Sequence, residues 1–226
     1  MVGNCSDKVL TTPCGNKWMI GTVNSLFIGS VSTLVATALG TLAALGLSRP
    51  HMPFKGIIMS ILISPMIVPL IITAAGMFFF YAKVNLVYTF TGIILAHVAL
   101  STPFVVITVT ATLVGFDTNM TKASQSLGAR PVRTFFKVIM PLILPGVISG
   151  ALFAFITSFD EVVIVMFMAS LDQLTIPKQM WAGIRQEISP VILCMATCLV
   201  ALSIFLLTTV ELLRRRSEKM RGITAR

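Results

Sequence analysis

Apolar residues run along this chain in long blocks, broken by short polar turns. At about 1.5 Å of rise per residue, blocks of this length match a hydrocarbon core about 30 Å thick. Five are predicted as spanning helices: 20–47, 56–81, 86–114, 142–168 and 190–213. Between the third and fourth lies a polar, basic stretch, 117–141, with its own periodicity. There 122–127 favours helix, Gly128 ends that turn, and Pro131 opens a second short helix. In that second helix Val132, Phe135, Phe136 and Ile139 recur at i, i+3, i+4, i+7, so an apolar face is predicted to pack back on the bundle, with Arg133 and Lys137 opposite.

The first block carries two rows of small residues at every fourth position: Ser25, Gly29, Thr33, Thr37, Thr41 and Ser32, Ala36, Gly40, Ala44. Small rows let helix backbones approach closely, so this helix is expected inside a bundle rather than against lipid. The second block holds Pro65 and Pro69, which predict a kink. The third holds His97, expected to hydrogen-bond between helices rather than relay protons, and Pro103. Adjacent acids Asp160 and Glu161 stand about 27 Å up the fourth helix, near its outer rim. Neighbouring helical positions point about 100° apart, so one of the two is expected to face a pathway and attract a cation, or else to bond a neighbouring helix or Arg185. Pro177 opens a helix whose Met180, Trp181, Ile184 and Ile188 suit a membrane interface.

Composition strengthens this reading. The chain has 226 residues, 56% hydrophobic and 11% charged, with mean hydropathy +0.94, whereas soluble domains are about 25% charged. The fold class is an all-α membrane protein, a polytopic helical bundle of about five spans. The net charge of +9 does not point to nucleic acid, because the bases sit in turns. Twelve of the 17 Lys and Arg fall in the 49–55 turn, the 115–141 loop and the carboxyl tail. The other five are Lys8, Lys17, Lys83, Lys178 and Arg185. The positive-inside rule then makes the loop and the carboxyl terminus cytoplasmic. Five spans put the amino terminus outside, so the polar 1–17 tail crosses the membrane or a further helix precedes it. Cys194 and Cys198 read as packing residues, and Cys5 could pair with Cys14 in the tail. No nucleophile–base set, metal-ligand cluster or phosphate-binding glycine loop is present in the sequence, so no catalytic residue, metal site or cofactor is expected on this chain.

The 115–141 loop resembles the cytoplasmic signature of permease subunits of bacterial ABC importers: Glu-Ala-Ala, three residues, Gly, nine residues, Ile-x-Leu-Pro. The matching positions are Lys122, Ala123 and Ser124, then Gly128 with Ala129, then Val138, Met140 and Pro141. Asn24-Ser25-Leu26 and Ser158-Phe-Asp-Glu-Val-Val extend the similarity over 18–216, most nearly to the spermidine/putrescine type. Lys122 reverses the usual acid and Ser124 replaces the second alanine. The resemblance implies a bacterial inner-membrane permease domain over 18–216, between an atypical tail (1–17) and a basic cytoplasmic tail (217–226); family members usually have six spans. It implies a loop at Lys122, Ala123, Ser124, Gly128, Ala129 and Pro141 that couples to an ATP-binding subunit dimer, where ATP and magnesium are held. A second permease subunit and a periplasmic substrate-binding protein complete the assembly, in contact with membrane lipid. The expected cargo is a polyamine-like cation that meets Asp160 or Glu161. Alternatives are an ABC permease for ferric iron, thiamine or an opine-like ligand, a secondary carrier or channel subunit, and a non-transporting remnant.

Overall fold

The computed structural model describes residues 13–49, 52–114, 118–186 and 190–220. Those residues form helices joined by turns, with no strand among them. In chain order they are α1 (Pro13–Leu47), α2 (Lys55–Ile67), α3 (Leu70–Lys83), α4 (Phe90–Val114), α5 (Thr118–Ser126), α6 (Pro131–Thr134), a π-turn (Phe135–Ile139) and α7 (Met140–Phe159). Then follow α8 (Val163–Met168), a 3-10 turn (Leu171–Gln173), α9 (Ile176–Gln186) and α10 (Pro190–Met220).

The core is a three-helix contact of α1, α4 and α7, and small residues make it possible. One row of α1 faces α4: Ser32 Oγ donates to the Ile94 carbonyl at 3.4 Å, and a Cβ on Gly40 would stand 2.7 Å from Val105 Cβ. The other row faces α7, with Gly29 against the ring of Phe155. Gly146 and Gly150 of α7 press on Thr112 and Thr108 of α4. Helix association of this kind rests on close van der Waals packing, because lipid supplies no hydrophobic drive. The small-residue faces of the first helix pack inside the bundle as expected, whereas Val23, Leu34 and Leu42 on its other side are exposed.

These contacts fix directions. Residues 32 and 40 of α1 meet 94 and 105 of α4, so the two helices are parallel. Ser101 of α4 donates to the Ala154 carbonyl and Gly150 meets Val105, so α7 runs antiparallel to α4. The start of α1, the start of α4 and the end of α7 therefore share one end of the bundle. The turn after α1 and the α5–α6 hairpin share the other, and α2 with α3 carries the chain back between them.

Several spans differ from expectation. By length and composition three described helical runs could each cross a membrane: 17–47, 90–114 and 131–159. The pair α2–α3 qualifies only jointly and is bent by 105°, a broken span or re-entrant loop. Among the described residues three spans qualify, or four if the bent pair counts as one. Pro65 is accommodated inside α2, but Val68 (ψ 134°) and Pro69 (ψ 128°) are both extended. A residue before proline is pushed out of the helical region, and two extended residues in a row turn the chain far more than a kink. The fourth predicted span is likewise interrupted: α7 stops at Phe159 and α8 starts at Val163. In the fifth, the described apolar helical stretch is Ile192–Phe205. At the amino-terminal side α1 begins at Pro13, inside the predicted tail, and Trp18 is buried with Ile176 and Ile192. The proposed partner of Cys14, Cys5, lies outside the described residues, as does Ile188.

Candidate functional site

Two regions gather the residues singled out by the sequence. The first is the hairpin of α5 and α6. Helix α5 ends in a Schellman arrangement: Ala129 N–H reaches the Ser124 carbonyl at 3.2 Å, and Gly128 N–H reaches that of Gln125 at 2.9 Å. This requires a left-handed residue between them, and Gly128 supplies it with φ 78°. Nothing lies within 4 Å of where its Cβ would be, so backbone conformation and not crowding selects glycine here. Pro131 opens α6 as expected, after extended Arg130. Ser124 Oγ and Thr134 Oγ1 meet at 3.0 Å and tie the two arms together. Thr134 is buried and was not legible as a site residue; its only signal was a lone hydroxyl among apolar and basic neighbours. Lys122 is exposed. Met120, Ala123, Leu127, Arg133 and Val138 help line a surface hollow of about 570 Å³ in the hairpin.

The apolar face predicted for 132–139 does not form. Helix α6 is not separate but runs through the π-turn into α7 as a continuous 131–159 helix, with Pro141 in the first turn of α7. The π-turn inserts one extra residue per turn and rotates what precedes it. Val132 and Phe136 are therefore exposed, at 69% and 63%, while Ile139 packs on the core beside Ile143 and Val147.

The second region lies at the opposite end, where two chain breaks meet. Leu70, just past the α2–α3 bend, lines a cleft of about 350 Å³ with Ile156, Thr157, Asp160, Glu161 and Val162. Irregular backbone at membrane depth is tolerated where it lines a cavity. The two acids are not successive helical positions. Asp160 is the C-cap of α7 and is exposed. Glu161 is 7% exposed, and its Oε1 accepts the N–H groups of Val163 at 2.7 Å and Ile164 at 3.0 Å. Arg185 reaches neither and lies 5.6 Å over the Trp181 ring.

The segment after Glu161 is strapped to the bundle. Lys178 Nζ donates to the carbonyls of Val165 at 3.3 Å and Ala169 at 3.1 Å, and burial lowers the pKa of its ammonium. Gln173 Nε2 donates to the Tyr88 carbonyl at 2.9 Å, and Tyr88 N–H donates to the Met168 carbonyl at 3.0 Å. Tyr88 is thereby held at φ 61°, a left-handed value that a bulky residue keeps only when its surroundings enforce it. On α1, Asn24 Nδ2 donates to the carbonyls of Asp172 and Leu174, each at 3.0 Å. Ser25 Oγ accepts Ile176 N–H at 2.9 Å. His97 Nδ1 pairs with Ser158 Oγ at 2.8 Å, and Nε2 has no partner among the described residues, so the histidine is the expected tether between α4 and α7. Sequence reasoning missed Lys178 and Gln173, because local spacing does not announce a side chain that bonds carbonyls of another segment.

Comparisons with known proteins agree with this architecture. The family described as "Binding-protein-dependent transport system inner membrane component" matches residues 36–219. The spermidine/putrescine transport system permease protein PotC of Haemophilus influenzae is 30% identical over 175 residues, 77% of this chain and 68% of that protein. The putrescine transport system permease protein PotI of Escherichia coli K12 is 35% identical over 103 residues, 46% of this chain and 37% of that one. Among solved structures, an inward-facing form of the MetNI methionine ABC transporter superposes with TM-score 0.66 at 20% identity, covering 96% of this chain and 100% of the other. A bacterial ABC transporter that imports alginate gives 0.67 at 16% identity, over 89% and 69%.

Proposed function

Because this chain belongs to the binding-protein-dependent transport system inner membrane component family, and is thus a permease component of an ABC importer, we propose that its cargo is a polyamine-like cation and that Asp160 meets it. The observation that carries this reading is the cleft between the two chain breaks, where an exposed carboxylate stands at the end of α7. A carboxylate there attracts a polycation and replaces part of its hydration, and the polyamine permeases among the relatives support that class of ligand.

The rest of the assembly follows from the same premise. ATP and magnesium belong to a separate ATP-binding subunit dimer, gripped at Lys122, Ala123, Ser124, Gly128 and Ala129, with Pro141 where the hairpin enters the span. A second permease subunit shares the pathway, and a periplasmic binding protein delivers cargo to the α8–α9 end. The bases at 49, 55, 122, 130, 133 and 137 belong to the hairpin end, which supports assigning that end, and with it the carboxyl terminus, to the cytoplasm.

Uptake of labelled putrescine and spermidine by the reconstituted assembly tests the proposal. Asp160→Asn is expected to lower uptake about tenfold, in keeping with loss of a close charge contact; unchanged uptake removes Asp160 from the pathway. Gly128→Asp is expected to lose the copurifying ATP-binding subunit. Transport that persists with no ATPase present would instead mark a secondary carrier.

A further inference from the structure

Resting on that reading, the geometry points to Glu161 and Lys178 as positioning residues of the transport pathway, each clamping one end of α8 so that the wall beside Asp160 stays in place and Asp160 is the cargo-facing acid of the pair. Helix α8 has six residues, too few to hold themselves in a helix. Its free N–H groups at one end are taken by Glu161 Oε1. The Val165 and Ala169 carbonyls at the other end are taken by Lys178 Nζ. An anion at the amino end and a cation at the carboxyl end both complement the helix dipole. Between the clamps Ile164, Val165 and Met168 are buried against Ala74, Ile93, Ala96 and Leu100 of α3 and α4.

The division of labour between the acids follows from what each already binds. The Glu161 carboxylate is buried, and one of its oxygens is occupied by two backbone donors. Asp160 is exposed, and no described residue bonds its carboxylate. Two neighbours that look interchangeable in sequence thus do different work: one holds the wall, the other faces the cleft.

The experiment compares rates of labelled putrescine uptake by the complete reconstituted importer, with assembly of each variant checked by size exclusion. If Glu161 positions α8 through its acceptor oxygen, Glu161→Ala lowers the rate about tenfold or more, since a buried donor at Ile164 and a half-buried one at Val163 are stranded. Glu161→Gln, which keeps an acceptor oxygen but no charge, restores most of that loss. Lys178→Met lowers the rate similarly, and the Glu161→Ala/Lys178→Met double variant is no worse than the worse single. Asp160→Asn, by contrast, is as poor as Asp160→Ala. Glu161→Gln as poor as Glu161→Ala would make Glu161 a charge contact to cargo and overturn the inference, as would Glu161→Ala and Lys178→Met at wild-type rate.

A second readout does not depend on cargo. A Thr157→Cys reporter in a background lacking the native cysteines is labelled by a water-soluble maleimide. Labelling is expected to quicken about tenfold with Glu161→Ala and to return near the parent rate with Glu161→Gln. Equal labelling in all variants overturns the clamp. No ATP-dependent uptake of any polyamine by the wild type would instead sink the cargo assignment, while the labelling still decides the clamp.

Discussion

Gly128 holds φ 78° with open space where a Cβ would be, so substitutions there are graded by backbone preference alone. Uptake should fall in the order Gly, Asn, Ala, Val, because asparagine tolerates the left-handed region and β-branched residues do not; the alanine step corresponds to about 1 kcal/mol. Six positions along, Thr134 Oγ1 meets the Ser124 hydroxyl at 3.0 Å. Removing the serine hydroxyl strands a buried one: Ser124→Ala is expected to destabilise by about 1–2 kcal/mol, and Ser124→Ala/Thr134→Val to recover most of it. Thermal unfolding in detergent measures both. A double variant no more stable than Ser124→Ala would show that the pair does not brace the hairpin.

At the scale of the element, the π-turn at Phe135–Ile139 decides how the hairpin is presented. Deleting Lys137 should let α6 and α7 join as a regular helix, rotating everything before it by about 100° and drawing it in by about 1.5 Å. The spans are expected to fold and insert, while copurification of the ATP-binding subunit is lost. Retained copurification would mean that hairpin orientation is unimportant. The same π-turn explains why periodicity misled at 132–139. A spacing of i, i+3, i+4, i+7 assumes 3.6 residues per turn, and one inserted residue sends Val132 and Phe136 outward while Ile139 stays in. The helices' existence was legible, since apolar blocks and terminal glycine or proline are local signals. The breaks at Val68–Pro69 and Asp160–Val162 were only half legible: proline forecast a bend, not one of 105°.

Across the whole molecule, α1 and α4 lie side by side in the same direction, and small residues permit the approach. Gly40→Leu would force a branched side chain into Val105, an overpacking worth about 1–3 kcal/mol. The expected result is reduced yield of assembled complex, while Gly46→Leu, with nothing within 4 Å, keeps it. Orientation is checked by cysteine accessibility in intact cells. In a background lacking native cysteines, Asp172→Cys on the strapped segment should react with an impermeant maleimide. Leu127→Cys, 88% exposed on the hairpin, should react only after permeabilisation. The reverse pattern would invert the assignment of sides.

By itself the sequence determined the class, the small-residue seam, the hairpin with its glycine stop and proline restart, and the pair of acids worth attention. All of these are encoded in near neighbours or in composition. Tertiary structure alone decided which acid is free and which is spent on a helix end. It also set Lys178 on carbonyls 9 and 13 residues away, Asn24 on carbonyls 148 and 150 away, and the two breaks over one cleft. Backbone hydrogen-bonding groups at helix ends must find partners, but which side chain reaches them depends on how distant helices pack, and no local pattern records that.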